Sequence, residues 1–249
     1  MIILKTDKEI QKMQVGGKIL AFILDELLRQ AQDGITTISL DQLADELCEQ
    51  NQVIPSFKGY EGYEHSLVTC INEEIVHGIP SNRVLKDGDI LTLDFGIKYQ
   101  GFHTDMAKTR VVGKSNQEKD KLLQVGQMAL NNAIDQAQIG NRIGAVSYAM
   151  QQAIEGASFN VVRIFVGHGV GVDLHEDPEI PCFGEIGEGV LIKEGMVLAI
   201  EVMYMVGSYQ VTILSDGWTA VTKDRSLSAM FEHTVAVTKN GPVIMTKAD

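Results

Sequence analysis

Apolar residues recur at helical spacing almost from the start of the chain. Ile10, Met13, Leu20, Leu24 and Leu27 share one face, which predicts a long helix packed on one side. A capping box marks its start: the Thr6 hydroxyl can take a first-turn amide, and Glu9, three residues on, can reach back. Asp33-Gly34 predicts its stop. A shorter helix follows, with Leu40, Leu43 and Leu47 on one side. From Ser66 to Val112 the pattern changes to strands and turns. Residues 68–71 and 90–97 are β-rich, and Asp87-Gly88 and Gln100-Gly101 are turn dipeptides.

The pattern then begins again. Ser115 and Glu118 read as another capping box, a long helix is predicted to run towards Gly140, and a shorter one follows. Counted from Gly34 and Gly140, Leu40, Leu43 and Leu47 match Val146, Ala149 and Ala153. The run from Lys86 to Asp94 likewise reads like the run from Lys193 to Glu201. This points to a duplicated unit, two helices followed by strands, with halves of roughly 1–112 and 113–249. No linker or low-complexity stretch interrupts the chain, so a single domain over 1–249 is expected.

Each copy of the repeated strand ends in a carboxylate, Asp94 and Glu201. Either one alone reads as a strand end at the surface, but pseudo-symmetry would bring the two together. Asp105 follows Asp94 across the predicted hairpin. With a two-residue loop at Gln100-Gly101, Tyr99 faces Phe102, Asp94 faces Ala107, and Asp105 shares the face of Asp94. A four-residue loop puts the two acids directly opposite, and an odd loop without a bulge separates them. Where they share a face, like charges destabilise the hairpin unless a cation sits between them. His168 lies in Gly167-His168-Gly169-Val170-Gly171, where glycines offer no packing wall; close backbone approach around a ligand is the expected reason. Glu232 sits among Met230, Phe231, Val235 and Val237, where a buried charge needs a counter-charge. Four carboxylates and one imidazole converging would be neutralised by two divalent ions. That oxygen-rich set suits Mn²⁺, Co²⁺, Fe²⁺ or Zn²⁺ better than a thiolate zinc site would.

Composition narrows the setting. The 249 residues are 45% hydrophobic and 22% charged, enough for a sizeable core and incompatible with wholesale disorder. The longest pure apolar run, residues 19–24, is far short of the ~20 residues of a membrane helix. The first residues show no basic region followed by an apolar stretch, so a secretory signal is not expected. Cys48, Cys70 and Cys182 are sparse and unpaired in pattern, which argues for a reducing, cytoplasmic location. A net charge of −12 argues against a nucleic-acid substrate.

Asp94, Asp105, His168, Glu201 and Glu232, in this order, resemble the metal ligands of the methionine aminopeptidases. The resemblance covers nearly the whole chain. It includes Asn72-Glu73-Glu74, His77-Gly78-Ile79-Pro80, Gly88-Asp89-Ile90, Asp94-Phe95-Gly96, Gly101-Phe102-His103-Thr104-Asp105, His175-Glu176-Asp177-Pro178, Asp216-Gly217-Trp218-Thr219 and Glu232-His233-Thr234. The chain lacks the long second-half insertion of the type II enzymes and so looks like type I. The resemblance implies an α+β "pita-bread" (creatinase/aminopeptidase-like) fold, two pseudo-symmetric αβ halves whose curved antiparallel sheet is covered by helices. It implies removal of the initiator methionine from the N-termini of nascent polypeptides when the second residue is small.

Two divalent ions are implied with it: Asp94 chelating one, Asp105 and Glu232 bridging, and His168 and Glu201 completing the other. Glu201 would also move a proton from water to the leaving amine. His77 and His175, each opening a His-x-x-Pro stretch, would contact the scissile peptide, His175 polarising its carbonyl. Tyr60, Tyr63, Val68, Leu174, Met203 and Trp218 would line an apolar pocket for the methionine side chain. A monomer without membrane or nucleic-acid partners is expected. The chain departs from the family pattern at Glu64 (usually Pro), Val68 (often Cys), Val202 (usually Pro) and Met230 (frequently Gln). Two alternatives share the scaffold: a proline-directed aminopeptidase or dipeptidase, which usually carries an additional N-terminal domain, and a non-catalytic peptide-binding protein, which typically loses ligands.

Overall fold

Helix α1 (Asp7–Gln30) starts at the capping box as predicted: Thr6 N donates to Glu9 Oε2 at 2.8 Å, and Glu9 N donates to Thr6 Oγ1 at 3.4 Å. A computed structural model describes residues 1–247 of the chain. Leu20, Leu24 and Leu27 are fully buried on the inner face of α1. The helix ends at Gln30, short of Asp33-Gly34, and Gly34 N instead bonds Leu85 O in the turn beyond. Helix α2 (Thr37–Asn51) is capped by Thr36 and buries Leu40 and Leu47.

The first sheet is built on strand β4. Strands β1 (Ile54–Pro55) and β2 (Val68–Ile71) share one edge of β4 (Ile90–Tyr99), and β5 (Phe102–Val111) runs the length of the other. Along the chain β3 (Glu74–Val76) follows β2 and joins a different sheet. The β4–β5 loop has two residues, with Tyr99 opposite Phe102 and Asp94 opposite Ala107. Gln100 and Gly101 have φ of 47° and 89°, the primed turn that follows strand twist and that asparagine, aspartate and glycine favour.

In the second half, α3 (Gln117–Gln136) is capped by Asn116, whose Oδ1 takes the Lys119 amide at 2.9 Å. The expected Ser115–Glu118 box does not form, because the Ser115 hydroxyl turns to Asp120 instead. Helix α4 (Ile143–Gly156) follows. The strands are β6 (Asn160–Val161), β7 (Val166–Gly169), β8 (Glu176–Pro181), β9 (Val197–Met205), β12 (Ser228–Thr238) and β13 (Gly241–Ile244). They form one antiparallel sheet of order β13-β12-β9-β7-β8, with β6 on β9. A small sheet joins β3 to β10 (Val211–Ile213) and β11 (Ala220–Thr222).

Helix α1 packs on β4 and β5, and α3 packs on β9 and β12. Two threonine hydroxyls stitch β5 to β12. Thr234 Oγ1 accepts Asp105 N and donates to Asp105 O, both at 2.8 Å. Thr109 Oγ1 does the same for Met230, at 3.0 and 2.6 Å. No helix of the described residues is long and apolar enough to cross a membrane. The three cysteines are free and buried.

Candidate metal centre

Asp94 and Glu201 are not strand ends. Strands β4 and β9 run on past them to Tyr99 and Met205, so both acids are mid-strand and 7% exposed. Strand alternation then dictates which side chains meet. Asp105 pairs with Gly96, two residues from Asp94, so both acids fall on one face of the hairpin. Glu232 of β12 lies directly opposite Glu201 of β9. Two carboxylates in cross-strand register repel one another unless a cation lies between. His168 comes from β7, where it pairs with Ala199.

Ligand atoms of Asp105, His168 and Glu232 lie within 4.8 Å of one another, and His168 Nε2 is 4.0 Å from Asp105 Oδ2. His168 Nδ1 sits 2.8 Å from the Gly169 carbonyl, which can only accept. The proton is therefore on Nδ1, and the lone pair of Nε2 faces the acids, as a metal-binding imidazole requires. Asp94 Oδ1 and Glu232 Oε1 are buried without a hydrogen-bond partner. Orphaned carboxylate oxygens of this kind carry a full desolvation penalty. The donor set fits divalent ions.

Electrostatics agrees. Burial, reinforced by neighbouring acids, pushes the carboxyls of Asp94, Glu201 and Glu232 well up. Burial moves Asp105 up to about 7 against the Met106 amide, which favours its charged form. Burial and His175 push His168 down to about 3. Without a cation the site favours neutral groups throughout; a cation reverses that preference for every carboxylate.

The same cavity, of about 150 Å³, is lined by all five of these residues together with His77, His175, Tyr60, Tyr63, Val68, Leu174 and Trp218. The His175 ring stacks edge-on against that of His168 at 4.3 Å. His77 adopts φ 59°, a costly conformation for a non-glycine residue, and its ring faces Phe165 and Trp218. Trp218 is set by a turn in which Asp216 Oδ1 accepts the amides of Trp218 and Thr219. Tyr63 donates to Leu67 O or Gly78 O at 3.0 and 3.1 Å, which fixes its ring in the wall.

Met203 is the exception. It is fully buried in the main core opposite Met230, and the cavity wall along β9 stops at Glu201. Phe57, Glu61 and Val76 also line the cavity, unforeseen from the sequence. Glycines around His168 have another reason than the one expected. A Cβ on Gly167 would lie 2.6 Å from Ala199 O, and one on Gly169 would lie 2.2 Å from Asp177 O, so they fit neighbouring strands rather than a ligand. Gly169→Ala should therefore cost about 1–3 kcal/mol of stability. Urea unfolding at saturating metal checks this, and an unchanged midpoint would contradict it.

The profile of Metallopeptidase family M24 matches residues 11–239. The chain is 47% identical to methionine aminopeptidase 1 of Bacillus subtilis, over 99% of this chain and 100% of that one. Its structure is similar to that of a methionine aminopeptidase from Thermotoga maritima, with a TM-score of 0.97 and 44% identity, covering 99% of this chain and 100% of that one. A prolidase from Pyrococcus horikoshii shares the fold at a TM-score of 0.79 and 22% identity, but the match covers only 65% of that chain. With an α+β architecture shared by these structures and a buried acid–imidazole cluster at its centre, this chain belongs to metallopeptidase family M24.

Proposed function

We propose that this chain removes the N-terminal methionine from polypeptides whose second residue is small, with Asp94, Asp105, His168, Glu201 and Glu232 holding two divalent ions. The observation that carries this reading is one cavity, open to solvent at its mouth, that joins the carboxylate–imidazole cluster to an apolar aromatic wall. When bound, the ions would supply Lewis acidity that makes a water nucleophilic near neutral pH. Manganese, cobalt, iron and zinc all suit the donor set.

Glu201 is the proton carrier in this reading. Its carboxylate faces the cavity and can take a proton from water and return it to the leaving amine. His175 is placed to donate from its ring to the scissile carbonyl as negative charge develops there. Its ring lines the cavity beside His168, and burial lowers its proton affinity, opposed by Glu61. The neutral imidazole can still donate one hydrogen bond. His77, pushed down to about 4 chiefly by burial, contacts the peptide as a neutral group too. Tyr60, Tyr63, Val68, Leu174 and Trp218 supply the apolar, polarizable contacts that a thioether side chain favours.

A cavity of about 150 Å³ fits one side chain, and the resemblance to the methionine aminopeptidases implies little room beside the scissile bond. Met-Ala-Ser is therefore expected to be cleaved far faster than Met-Leu-Ser, and x-Pro peptides hardly at all. Equal rates on Met-Ala and Met-Leu peptides would contradict the size limit, and preferential x-Pro cleavage would favour the proline-directed reading. We read residues 1–249 as one catalytic unit working as a monomer on nascent chains in the cytoplasm. Ligands contributed by both large sheets support the single unit.

A further inference from the structure

We infer that Tyr60 is a positioning residue for His175: its hydroxyl donates to His175 Nδ1 and so keeps the ring proton on Nε2, free to meet the substrate. This rests on the reading of His175 as the donor to the scissile carbonyl. Tyr60 Oη lies 2.9 Å from His175 Nδ1, and the two rings meet edge-on at 5.0 Å and 71°. Both side chains line the cavity. A neutral imidazole has one N–H and one lone pair, so the partner of one nitrogen decides what the other can do. If Nδ1 accepts from the tyrosine, Nε2 is a donor and can stabilise an oxyanion. If Nδ1 donates instead, Nε2 presents a lone pair and cannot.

The loop that carries Tyr60 is held in a costly shape. Glu61 adopts φ 50° between Gly59 and Gly62 at 86° and 93°. A non-glycine residue there persists only when its surroundings over-determine it. They do: Gly59 N bonds Tyr63 O at 2.7 Å, Tyr60 N bonds Phe57 O at 2.9 Å, and Tyr63 N bonds Tyr60 O at 2.9 Å. Burial, with Glu61 and Asp173 nearby, raises the proton affinity of the Tyr60 hydroxyl, which keeps it a donor. Tyr60 thus has two duties on separate parts of one side chain: the ring forms pocket wall, and the hydroxyl sets the imidazole.

Tyr60→Phe separates the two, because it keeps the ring and removes only the oxygen. The metal-loaded Tyr60→Phe protein should show a kcat on Met-Ala-Ser lower by about tenfold, less than the 10²–10³ of a lost oxyanion donor, with KM within about twofold. Nitrogen-15 spectra of the zinc-loaded protein should show His175 protonated at Nε2 in the wild type and as a mixture of tautomers in Tyr60→Phe. His175→Ala is the parallel control and should lose activity. Wild-type kcat in Tyr60→Phe beside an inactive His175→Ala would overturn the role of Tyr60 alone. A lower kcat with the His175 tautomer unchanged would overturn it too, by showing a purely structural effect. Full activity in His175→Ala would overturn the reading beneath it.

Discussion

Asparagine at position 105 is expected to remove nearly all metal binding and turnover while leaving the fold intact. Asp105 is 3% exposed, with one oxygen taken by the Met106 amide at 3.0 Å and the other 4.0 Å from His168 Nε2. A carboxylate in that place can offer oxygen to two cations at once; an amide is neutral and offers a single good donor. The backbone bonds of Asp105 to Thr234 and its place opposite Gly96 do not involve its side chain, so the sheets should persist. A loss of about 100-fold or more is expected, beyond what removal of an outer partner of a metal ligand costs. Asp105 also raises the proton affinity of Asp94, Glu201 and Glu232 by repulsion, so the metal-free variant should melt above metal-free wild type near neutral pH. Elemental analysis, turnover and circular dichroism together check this. A variant with its full metal content and undiminished turnover would show that Asp105 does not bridge.

Chelation is expected to lower the melting temperature of the whole protein, and the gap should widen as pH rises. Ligand binding to the native state adds RT ln(1 + [L]/Kd), roughly 2.7 kcal/mol at a hundredfold excess over Kd. The pH dependence follows from the acids. Asp105 titrates at about 7 in the folded chain against 3.8 in an ordinary setting. Between those values the native state holds more protons than the unfolded one, so stability present below about pH 4 is lost as pH rises through 7. Asp94, Glu201 and Glu232, pushed up in the same direction, extend that loss.

Buried histidines work the other way. His77, His103 and His233 are pushed down to about 4, chiefly by burial, and so weaken the fold as pH falls below their ordinary 6.5. They titrate in both forms of the protein, so the difference between metal-loaded and metal-free melting temperatures isolates the acids. That difference should grow from pH 5 to pH 8. The unfolding should be global, because the proposed ligands come from β4, β5, β7, β9 and β12. Superimposed melting curves with and without chelator, after confirmed metal removal, would contradict this reading of the acidic cluster.

Local chemistry was legible where short-range rules suffice. The Thr6–Glu9 box and strand β2 depend on neighbours in sequence and appear as read, and of the loop lengths open to the hairpin the two-residue turn at Gln100-Gly101 is the one that forms. The pairing of Asp94 with Asp105 on one face followed from that turn alone. What the sequence concealed depends on competing near neighbours or on distant partners. Ser115 and Asn116 are both good caps, and the choice fell to Asn116 once Ser115 had Asp120 to bond. Gly167 and Gly169 looked like room for a ligand because the abutting carbonyls of Ala199 and Asp177 are far along or across the sheet. Met203 follows Glu201 at strand spacing and shares its face, yet the cavity ends between them. Thr109 carries no motif and Thr234 stands in one only beside Glu232, and only the meeting of β5 with β12 shows that they lock the two sheets at the level of Asp105 and Met230.

The most direct measurement is mass spectrometry of a Met-Ala-Ser peptide incubated with metal-depleted protein as Mn²⁺ or Co²⁺ is titrated in. No cleavage is expected before metal is added, then release of a single N-terminal methionine and nothing further, with full rate approached near two ions per chain. Methionine release by protein verified to be metal-free, cleavage at internal bonds, or no release at any metal concentration would contradict it.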